Sequence, residues 1–301
     1  MQHCIETNGL TKRYGKKLAL NDFTLQIGKG GIHAIVGSNG AGKSTLFRLL
    51  LGVATPTTGS AYLLGNDSRY LSPAVRGKVG YVNEEHTLPL WMKAREITNH
   101  QRSFYPSWDQ STYDSVIGYF DVDQDQKVSG LSRGERAGLN LSMALAQAPE
   151  LLILDEPTLG LDVVARQSFL EALMFTETSA NTTIIYCSHQ MEEIERVADQ
   201  LIIMEKGTLK NNSSPDAFVD RVSCWVAEFP TGLPAKDTIP GYLNARNIEG
   251  QHHILVADQT DDFGDYLKKN GARSVARNPV NLERAVNAFL TKNHSAPDSR
   301  A

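Results

Sequence analysis

The chain has 301 residues, of which 41% are hydrophobic, and its formal net charge is −4. This length suits one large domain and a small one, and the composition allows a hydrophobic core. The lack of a basic excess argues against a protein that tracks a nucleic-acid backbone. The three cysteines, Cys4, Cys187 and Cys224, are far apart in sequence, which makes a disulfide framework or a zinc site unexpected and fits a reducing compartment.

The sequence contains no apolar run long enough to predict a membrane-spanning helix. Its first residues also lack the basic and apolar regions of a secretory signal. We therefore expect that, if the protein works at a membrane, a partner supplies the spans.

Short strands and one helix are predicted over the first part of the chain. Alternating polarity and β-branched residues predict the strands, whereas a Gly-rich loop followed by an apolar run that stops at Gly52 predicts the helix. The strands are expected over residues 5–10, 18–27, 32–36, 60–64 and 78–82, and the helix over 46–51. The next segment, 91–127, is predicted to be helical, with a break at 105–109 where one helix stops and another begins.

Strands and helices then alternate to about residue 222, which is typical of an α/β fold. The run 151–154 is wholly apolar, as in strands that are buried on both faces of a parallel sheet. One helix is predicted to end near 148, and three others to cover 163–176, 191–197 and 217–222. Strands are predicted at 182–187 and 200–205. Beyond them we predict strands at 224–229, 242–257 and 274–277, and helices at 263–269 and 282–290.

One Gly-rich loop matches the phosphate-binding pattern G-x-x-x-x-G-K-[ST], and it lies between a predicted strand and a predicted helix, as that pattern requires. Its residues are Gly37, Ser38, Asn39, Gly40, Ala41, Gly42, Lys43, Ser44 and Thr45. Glycines let the backbone N–H groups approach phosphate closely, and a helix N-terminus favours negative charge. Lys43 is expected to reach the β- and γ-phosphates of a nucleotide, and the Ser44 hydroxyl to hold Mg²⁺.

Two carboxylates, Asp155 and Glu156, directly follow the apolar run 151–154. At the carboxyl end of a parallel strand, both would lie in the ligand crevice. Asp155 is expected to orient Mg²⁺ through water, and Glu156 to polarise the attacking water. Taken alone, the pair could also be two solvated acids at a strand end, but the phosphate-binding loop in the same chain favours the catalytic interpretation.

The order of motifs resembles that of the nucleotide-binding subunits of ABC transporters. The phosphate-binding loop is followed by Leu-Ser-Arg-Gly-Glu at 131–135, Asp-Glu-Pro-Thr at 155–158, Gly-Leu-Asp at 160–162 and Ser-His at 188–189. The resemblance covers about residues 3–222. It implies an α/β fold with a P-loop NTPase ABC ATPase core at 1–222, which includes a helical subdomain at about 86–148. A small α+β accessory domain is expected at 223–294 and a disordered tail at 295–301.

The resemblance also implies that two such subunits, identical or different, face each other and enclose ATP between them. Tyr14 matches the aromatic residue that stacks on adenine. Ser132 and Gly134 match the signature residues that contact the γ-phosphate of the opposite subunit's ATP, where a helix N-terminus also favours phosphate. Asp162 matches the loop that couples the two sites, and His189 matches the histidine that contacts γ-phosphate and holds the catalytic geometry.

Two departures from the family pattern stand out. Arg133 and Glu135 replace the first Gly and the Gln of the usual L-S-G-G-Q sequence, so added bulk and charge are expected near the interface. Glu84 stands where the family usually has Gln, and its carboxylate can ligate Mg²⁺. Glu84, the segment 105–109 and the small extra domain resemble exporters of the Ytr and bacitracin/lantibiotic-resistance types.

The segment 88–92, which contains Trp91, admits two interpretations. It could form part of the core of the helical subdomain. It could instead form the groove that receives a helix from a membrane subunit, because it lies where the family docks its partner.

Taken together, the motifs predict an ATP hydrolase that binds ATP and Mg²⁺ and supplies energy to an exporter. A polytopic membrane permease is the expected partner, with the chain cytoplasmic and peripheral at the inner face of the cell membrane. The alternatives are an importer ATPase, a non-catalytic regulatory subunit, or a soluble ABC ATPase acting on the ribosome or nucleic acid. No nucleic-acid partner is expected, because the sequence has one phosphate-binding loop and lacks the long coiled coils of repair proteins.

Overall fold

The computed structural model describes residues 3–177 and 182–291, and the side chains of 175–177 are outside this description. The chain divides into two compact units between Asn212 and Ser213. The sequence placed this division after residue 222. It falls earlier because Phe218, on the helix Pro215–Asp220, packs edge-to-face against Phe289 within the second unit. The tail predicted at 295–301 lies outside the described residues.

A mainly parallel sheet forms the centre of the first unit. Among the described residues it has six strands in the order β10-β9-β3-β8-β7-β6. Their bounds are Ile32–Val36 (β3), Val79–Asn83 (β6), Leu151–Asp155 (β7), Thr183–Cys187 (β8), Gln200–Glu205 (β9) and Thr208–Ser213 (β10). The first four residues of β7 are all buried, which explains why the sequence there is continuously apolar instead of alternating.

An antiparallel sheet in the order β2-β1-β4-β5 lies in the same unit. It consists of Ile5–Tyr14 (β1), Lys17–Ile27 (β2), Thr58–Leu63 (β4) and Asn66–Asp67 (β5). The helix α1, Lys43–Leu50, shares one apolar cluster with both sheets, through Leu46 and Leu50 on α1, Phe23 on β2 and Ile35 on β3. The start of α1 is therefore fixed against two sheets, which positions the phosphate-binding loop.

A second apolar cluster of the parallel sheet is formed with the fifth and sixth helices of this unit. The helices of this unit are α1, Pro73–Arg76 (α2), Ala94–Arg102 (α3), Gln110–Ile117 (α4), Arg133–Ala146 (α5), Val163–Glu177 (α6) and Met191–Val197 (α7). Leu145 of α5 and Phe169 of α6 pack on Leu152 and Ile184 of the sheet. The break predicted at 105–109 is confirmed, because the Asp109 carboxylate accepts hydrogen bonds from the first backbone N–H groups of α4.

The second unit is built on an antiparallel sheet in the order β12-β13-β11-β14. Its elements are Pro215–Asp220 (α8), Val222–Ala227 (β11), Tyr242–Ile248 (β12), Gln251–Ala257 (β13), Phe263–Lys269 (α9), Val275–Asn278 (β14) and Leu282–Thr291 (α10). The prediction of one strand over 242–257 was wrong. Glu249 and Gly250 have φ values of 52° and 85°, and two successive positive values form a tight hairpin turn between β12 and β13. Among the described helices of the chain, none is long and apolar enough to cross a bilayer.

Candidate functional site

The phosphate-binding loop joins the end of β3 to the start of α1. Gly42 precedes α1 with a φ of 109°, and a Cβ atom there would lie 2.6 Å from the carbonyl oxygen of Ala19. A Cβ atom on Gly37 would lie 2.4 Å from the carbonyl oxygen of Met204. Only glycine fits at either position. The loop can therefore close around a phosphate group at the N-terminus of α1.

A cavity of about 250 Å³ lies over this loop. It is lined by residues of the loop, by three carboxylate residues and by two residues of β2. The lining residues are Lys17, Ala19, Ser38, Asn39, Gly40, Ala41, Gly42, Lys43, Ser44, Thr45, Glu84, Asp155 and Glu156. The structure therefore brings together residues from three separate predicted segments, namely the loop, Glu84 and the pair Asp155 and Glu156. It adds Lys17 and Ala19, which the motifs did not include.

The carboxylates meet the loop because of the register of three parallel strands. Asn83 on β6 lies opposite Asp155 on β7, which lies opposite Cys187 on β8. The residues after these strand ends, Glu84, Glu156 and Ser188, consequently emerge at the same edge of the sheet. This is the edge at which ligands bind in parallel α/β proteins.

Glu156 is held between a lysine and a histidine. Its Oε1 lies 4.0 Å from Lys43 Nζ, and its Oε2 accepts a 2.8 Å hydrogen bond from His189 Nδ1. Lys43 Nζ also donates a 2.6 Å hydrogen bond to the carbonyl oxygen of Gly37. The φ of Glu156 is 51°, an uncommon conformation for a residue other than glycine that is often found at functional sites. The predicted catalytic residues therefore form one contact network.

Asp155 lies in an environment that suits a nearby cation. Burial raises the pKa of the Asp155 carboxyl, and the neighbouring Glu156 charge shifts it in the same direction. The Tyr81 hydroxyl donates to Asp155 at 3.4 Å, and burial together with this carboxylate raises the pKa of Tyr81 to about 12. Tyr81 therefore remains a neutral donor. A divalent cation would relieve the repulsion between the two carboxylates, and oxygen donors are the ligands that Mg²⁺ prefers.

Ser132 begins α5 as its N-cap. The Ser132 hydroxyl accepts a hydrogen bond from the backbone N–H of Glu135, and the Glu135 carboxylate accepts one from the backbone N–H of Ser132 at 2.7 Å. Because the hydroxyl accepts within this capping box, it can still donate its proton to a ligand. Gly134 is required next to it, since a Cβ atom there would lie 2.7 Å from Ala165 Cβ.

Besides Gly37 of the loop, four predicted nucleotide-binding residues lie outside the lining of this cavity, namely Tyr14, Ser132, Gly134 and Asp162. Tyr14 is 43% exposed at the end of β1. The Asp162 carboxylate accepts a hydrogen bond from the backbone N–H of Ala165 at 2.8 Å, in the first turn of α6. The roles given to these four residues by the family resemblance stay predictions, since they need a second subunit or a bound nucleotide.

Arg133, the unusual signature residue, contacts two loops of its own chain. Its Nη2 donates a 3.2 Å hydrogen bond to the backbone oxygen of Glu84. Its guanidinium also lies beside Gly160, where it would be 2.8 Å from an added Cβ atom. From the sequence, Arg133 was expected to add bulk and charge near an interface, and no sequence pattern indicates its contact with the Glu84 loop.

His86 is a buried residue that the sequence did not single out. It lies two residues after Glu84 with a backbone φ of 46°, and its side chain donates a 2.8 Å hydrogen bond from Nε2 to the carbonyl oxygen of Pro157. Because a carbonyl can only accept, Nε2 carries the proton, and the buried Nδ1 has no hydrogen-bond partner within the described residues. Burial lowers the pKa of His86 to about 4, and Arg133 and Arg136 contribute in the same direction.

This pKa makes a pH-dependent contribution to stability. The folded-state pKa is below the unfolded value of 6.5, so the stabilisation is fully present above pH 6.5 and is lost as the pH falls towards about 4. Between pH 7 and about pH 4.5, wild type is expected to lose about 2–3 kcal/mol more free energy of unfolding than His86→Asn. Asparagine accepts a positive φ and does not titrate. Urea unfolding at both pH values measures the difference, and equal losses would contradict the assignment.

A larger cavity, of about 590 Å³, lies in the second unit between α10 and the strands β12 and β13. None of the predicted phosphate-binding or catalytic residues lines it. The candidate site is therefore assigned by its chemistry and not by cavity size.

Comparisons with known proteins identify the family of this chain. Residues 20–159 match the family model described as ABC transporter. Nod factor export ATP-binding protein I of Rhizobium johnstonii is 34% identical over 287 residues, which cover 93% of this chain and 92% of that protein.

Solved structures show the same fold. One is described as the ATP-binding subunit of an ABC transporter; it is 24% identical, with a TM-score of 0.65 over 72% of this chain and 92% of its own. Another is a dimeric ATP-binding cassette in a post-hydrolysis state bound to ADP and Pi; it is 21% identical, with a TM-score of 0.61 over 70% and 98% of the two chains. The expected P-loop NTPase fold is confirmed, and the chain belongs to the family of ABC transporter ATP-binding proteins, whose members bind and hydrolyse ATP.

Proposed function

We propose that this chain hydrolyses Mg²⁺-bound ATP to drive export by a separate membrane subunit. The observation that carries the proposal is the convergence of the phosphate-binding loop, Asp155, Glu156 and His189 at one sheet edge. Export is supported by the near full-length similarity to Nod factor export ATP-binding protein I.

The residues of the cavity fit a nucleotide together with a divalent cation. We propose that the Ser44 hydroxyl and the Asp155 carboxylate hold Mg²⁺, with Glu84 as a further oxygen donor from the neighbouring strand end. When bound, the cation would neutralise phosphate charge. Lys43, whose Nζ donates to the carbonyl oxygen of Gly37 in the loop, would bind the β- and γ-phosphates.

Glu156 is the proposed general base. Its carboxylate would accept a hydrogen bond from the attacking water and orient that water towards the γ-phosphorus. His189, which donates to the same carboxylate, would fix its orientation and contact the γ-phosphate. ATP would close a dimer in which Ser132 and Gly134 contact the opposite nucleotide, Tyr14 stacks on adenine and Asp162 couples the two sites.

The segment 88–92 supports docking to a membrane subunit at the cytoplasmic face of the cell membrane. Leu88 and Met92 pack against the cluster formed by α3 and α5. Leu90 and Trp91 instead point outward, with exposed fractions of 52% and 74%. Two apolar side chains exposed side by side form a surface that a partner can cover. The segment thus combines both interpretations of the sequence.

Trp91→Ala is expected to weaken the association with the membrane subunit about 30-fold or more, because a central tryptophan in an interface contributes about 2 kcal/mol or more. The measurement is the amount of membrane subunit that co-purifies with tagged wild type and tagged variant. Tyr70→Ala is a matched control, since Tyr70 is an aromatic residue of similar exposure (78%) on a different segment, Ser68–Tyr70. Equal recovery with a folded Trp91→Ala protein would contradict the docking surface.

Within the family, we propose placement near the Ytr and bacitracin/lantibiotic-resistance exporters. Glu84 supports it, because that carboxylate occupies the position usually held by Gln and lines the nucleotide cavity. The segment 105–109, which ends at the N-cap Asp109 of α4, supports it as well. Subunit composition tests this placement, since such exporters require a separate polytopic permease.

A further inference from the structure

Glu193 is a buried carboxylate on α7, four residues after His189, and its side chain is only 3% exposed. Its Oε2 accepts hydrogen bonds from three hydroxyl groups, those of Thr158 at 2.9 Å, Tyr186 at 2.6 Å and Ser188 at 2.8 Å. These donors come from the loop after β7, from β8 and from the turn before α7. A single oxygen atom therefore joins three segments that border the candidate site.

The second oxygen of Glu193 faces a cation. Oε1 lies 3.5 Å from Nε of Arg166 on α6, and Arg166 Nη2 donates a 3.4 Å hydrogen bond to the carbonyl oxygen of Leu161. A buried charge is costly unless it is paired and hydrogen-bonded. Oε1 has no hydrogen-bond partner among the described residues, so the charge of Glu193 is compensated by the three hydroxyl groups on Oε2 and by the Arg166 charge. This compensation lasts only while the loop 156–162, the turn at 188–190 and α6 keep their positions.

The turn that carries His189 is fixed on both sides by this arrangement. Ser188 Oγ donates to Glu193 and accepts a 3.1 Å hydrogen bond from the backbone N–H of Gln190. The Ser188 hydroxyl thus links the residue before His189, Ser188, to the residue after it, Gln190. The direction of the His189 ring towards Glu156 depends on that turn.

The loop that carries Glu156 is fixed by contacts of the residues that follow Glu156. Thr158, two residues after Glu156, donates to Glu193, and the backbone N–H of Leu159 donates to the carbonyl oxygen of Glu156 at 3.2 Å. The same buried carboxylate consequently holds the backbones of both members of the His189–Glu156 contact.

We infer that Glu193 is a positioning residue for ATP hydrolysis: it sets the geometry of the His189–Glu156 pair without lining the nucleotide cavity itself. The inference rests on the proposed catalytic roles of Glu156 and His189. The phosphate-binding loop lies elsewhere in the cavity, on β3 and α1, so binding of ATP does not depend on Glu193.

Glu193→Gln keeps the size of the side chain but removes its charge. One amide oxygen and one NH₂ group cannot accept three hydroxyl hydrogen bonds and also face Arg166 favourably. The His189–Glu156 geometry is expected to shift, and a displacement of about 1 Å can lower turnover about 10²-fold. We expect kcat to fall by about that factor while the Kd for ATP stays within about twofold.

A double-mutant cycle with Glu156→Gln distinguishes positioning from a general loss of stability. Because Glu193 acts through the His189–Glu156 pair, and Glu156→Gln removes the base that this pair positions, Glu193→Gln is expected to change kcat by less than about threefold in the Glu156→Gln background. Glu192→Gln, an exposed neighbour on α7, is the matched control and is expected to keep wild-type kcat. An undiminished effect of Glu193→Gln in the Glu156→Gln protein would overturn the inference.

Ser188→Ala provides a second variant if Glu193→Gln does not fold, since it leaves the carboxylate in place and removes only the hydroxyl beside His189. It is expected to lower kcat about tenfold without a change in ATP affinity. Wild-type kcat in Ser188→Ala would overturn the inference. If His189→Ala alone keeps wild-type kcat, the proposed role of His189 fails instead, so the two failures are distinguishable.

Discussion

Replacing Glu156 with Gln is expected to lower ATP turnover about 10²–10⁴-fold, the usual effect of removing a general base. The amide keeps the volume of the side chain but is a far weaker base than the carboxylate. It also changes the partner of His189, which now donates to Glu156 at 2.8 Å. ATP affinity is expected to remain, because the loop from Gly37 to Thr45 and α1 are unchanged.

Steady-state ATP hydrolysis and equilibrium ATP binding, measured on the same preparation, separate these two effects. Glu195→Gln, an exposed acid on α7, carries the same change of charge away from the cavity and is expected to behave as wild type. Turnover at the wild-type rate in Glu156→Gln would remove Glu156 from the catalytic role.

Replacing Lys43 with Ala is expected to raise the Kd for ATP about 10–100-fold, because hydrogen bonds to charged groups contribute about 1.5–3 kcal/mol each. In the structure Lys43 Nζ is only partly paired with Glu156, at 4.0 Å, and its side chain is 10% exposed within the cavity. Its ammonium group is thus available to phosphate oxygens. The defect should appear in nucleotide binding itself, unlike that of Glu156→Gln.

Titration with a fluorescent ATP analogue or calorimetry measures this change. Lys210→Ala, which removes an exposed lysine on β10, is the matched control for net charge. Circular dichroism confirms that the variant is folded. An unaltered ATP affinity in folded Lys43→Ala would contradict the assignment of the phosphate-binding loop.

The fold of the first unit and its nucleotide cavity were predictable because their signals are local. The loop from Gly37 to Thr45 needs glycines at fixed positions, and β7 needs an apolar run that ends in Asp155 and Glu156. Backbone geometry imposes these requirements at each site separately. The order of the motifs then predicts that they meet at one sheet edge, since parallel strands carry their carboxyl ends to the same side.

The contacts of His86, Arg133 and Glu193 were not predictable in the same way. Glu193 accepts from Thr158, which lies on another strand-to-helix loop, and no local pattern relates the two positions. The hairpin after Ile248 was missed because Glu249-Gly250 replaces the usual Asn-Gly or Asp-Gly turn. The contacts of His86, Arg133 and Glu193 depend on how segments distant in sequence are placed beside one another, which a single sequence does not display.

The most direct test of the proposed function is to purify the tagged chain from detergent-solubilised membranes of its native host and to identify by mass spectrometry what co-purifies. We expect a polytopic membrane protein in stoichiometric amount, together with a second ABC ATPase subunit of the same or a related sequence. Ribosomal proteins or nucleic acid, without a membrane partner, would leave the ATPase chemistry intact and contradict the role in membrane export.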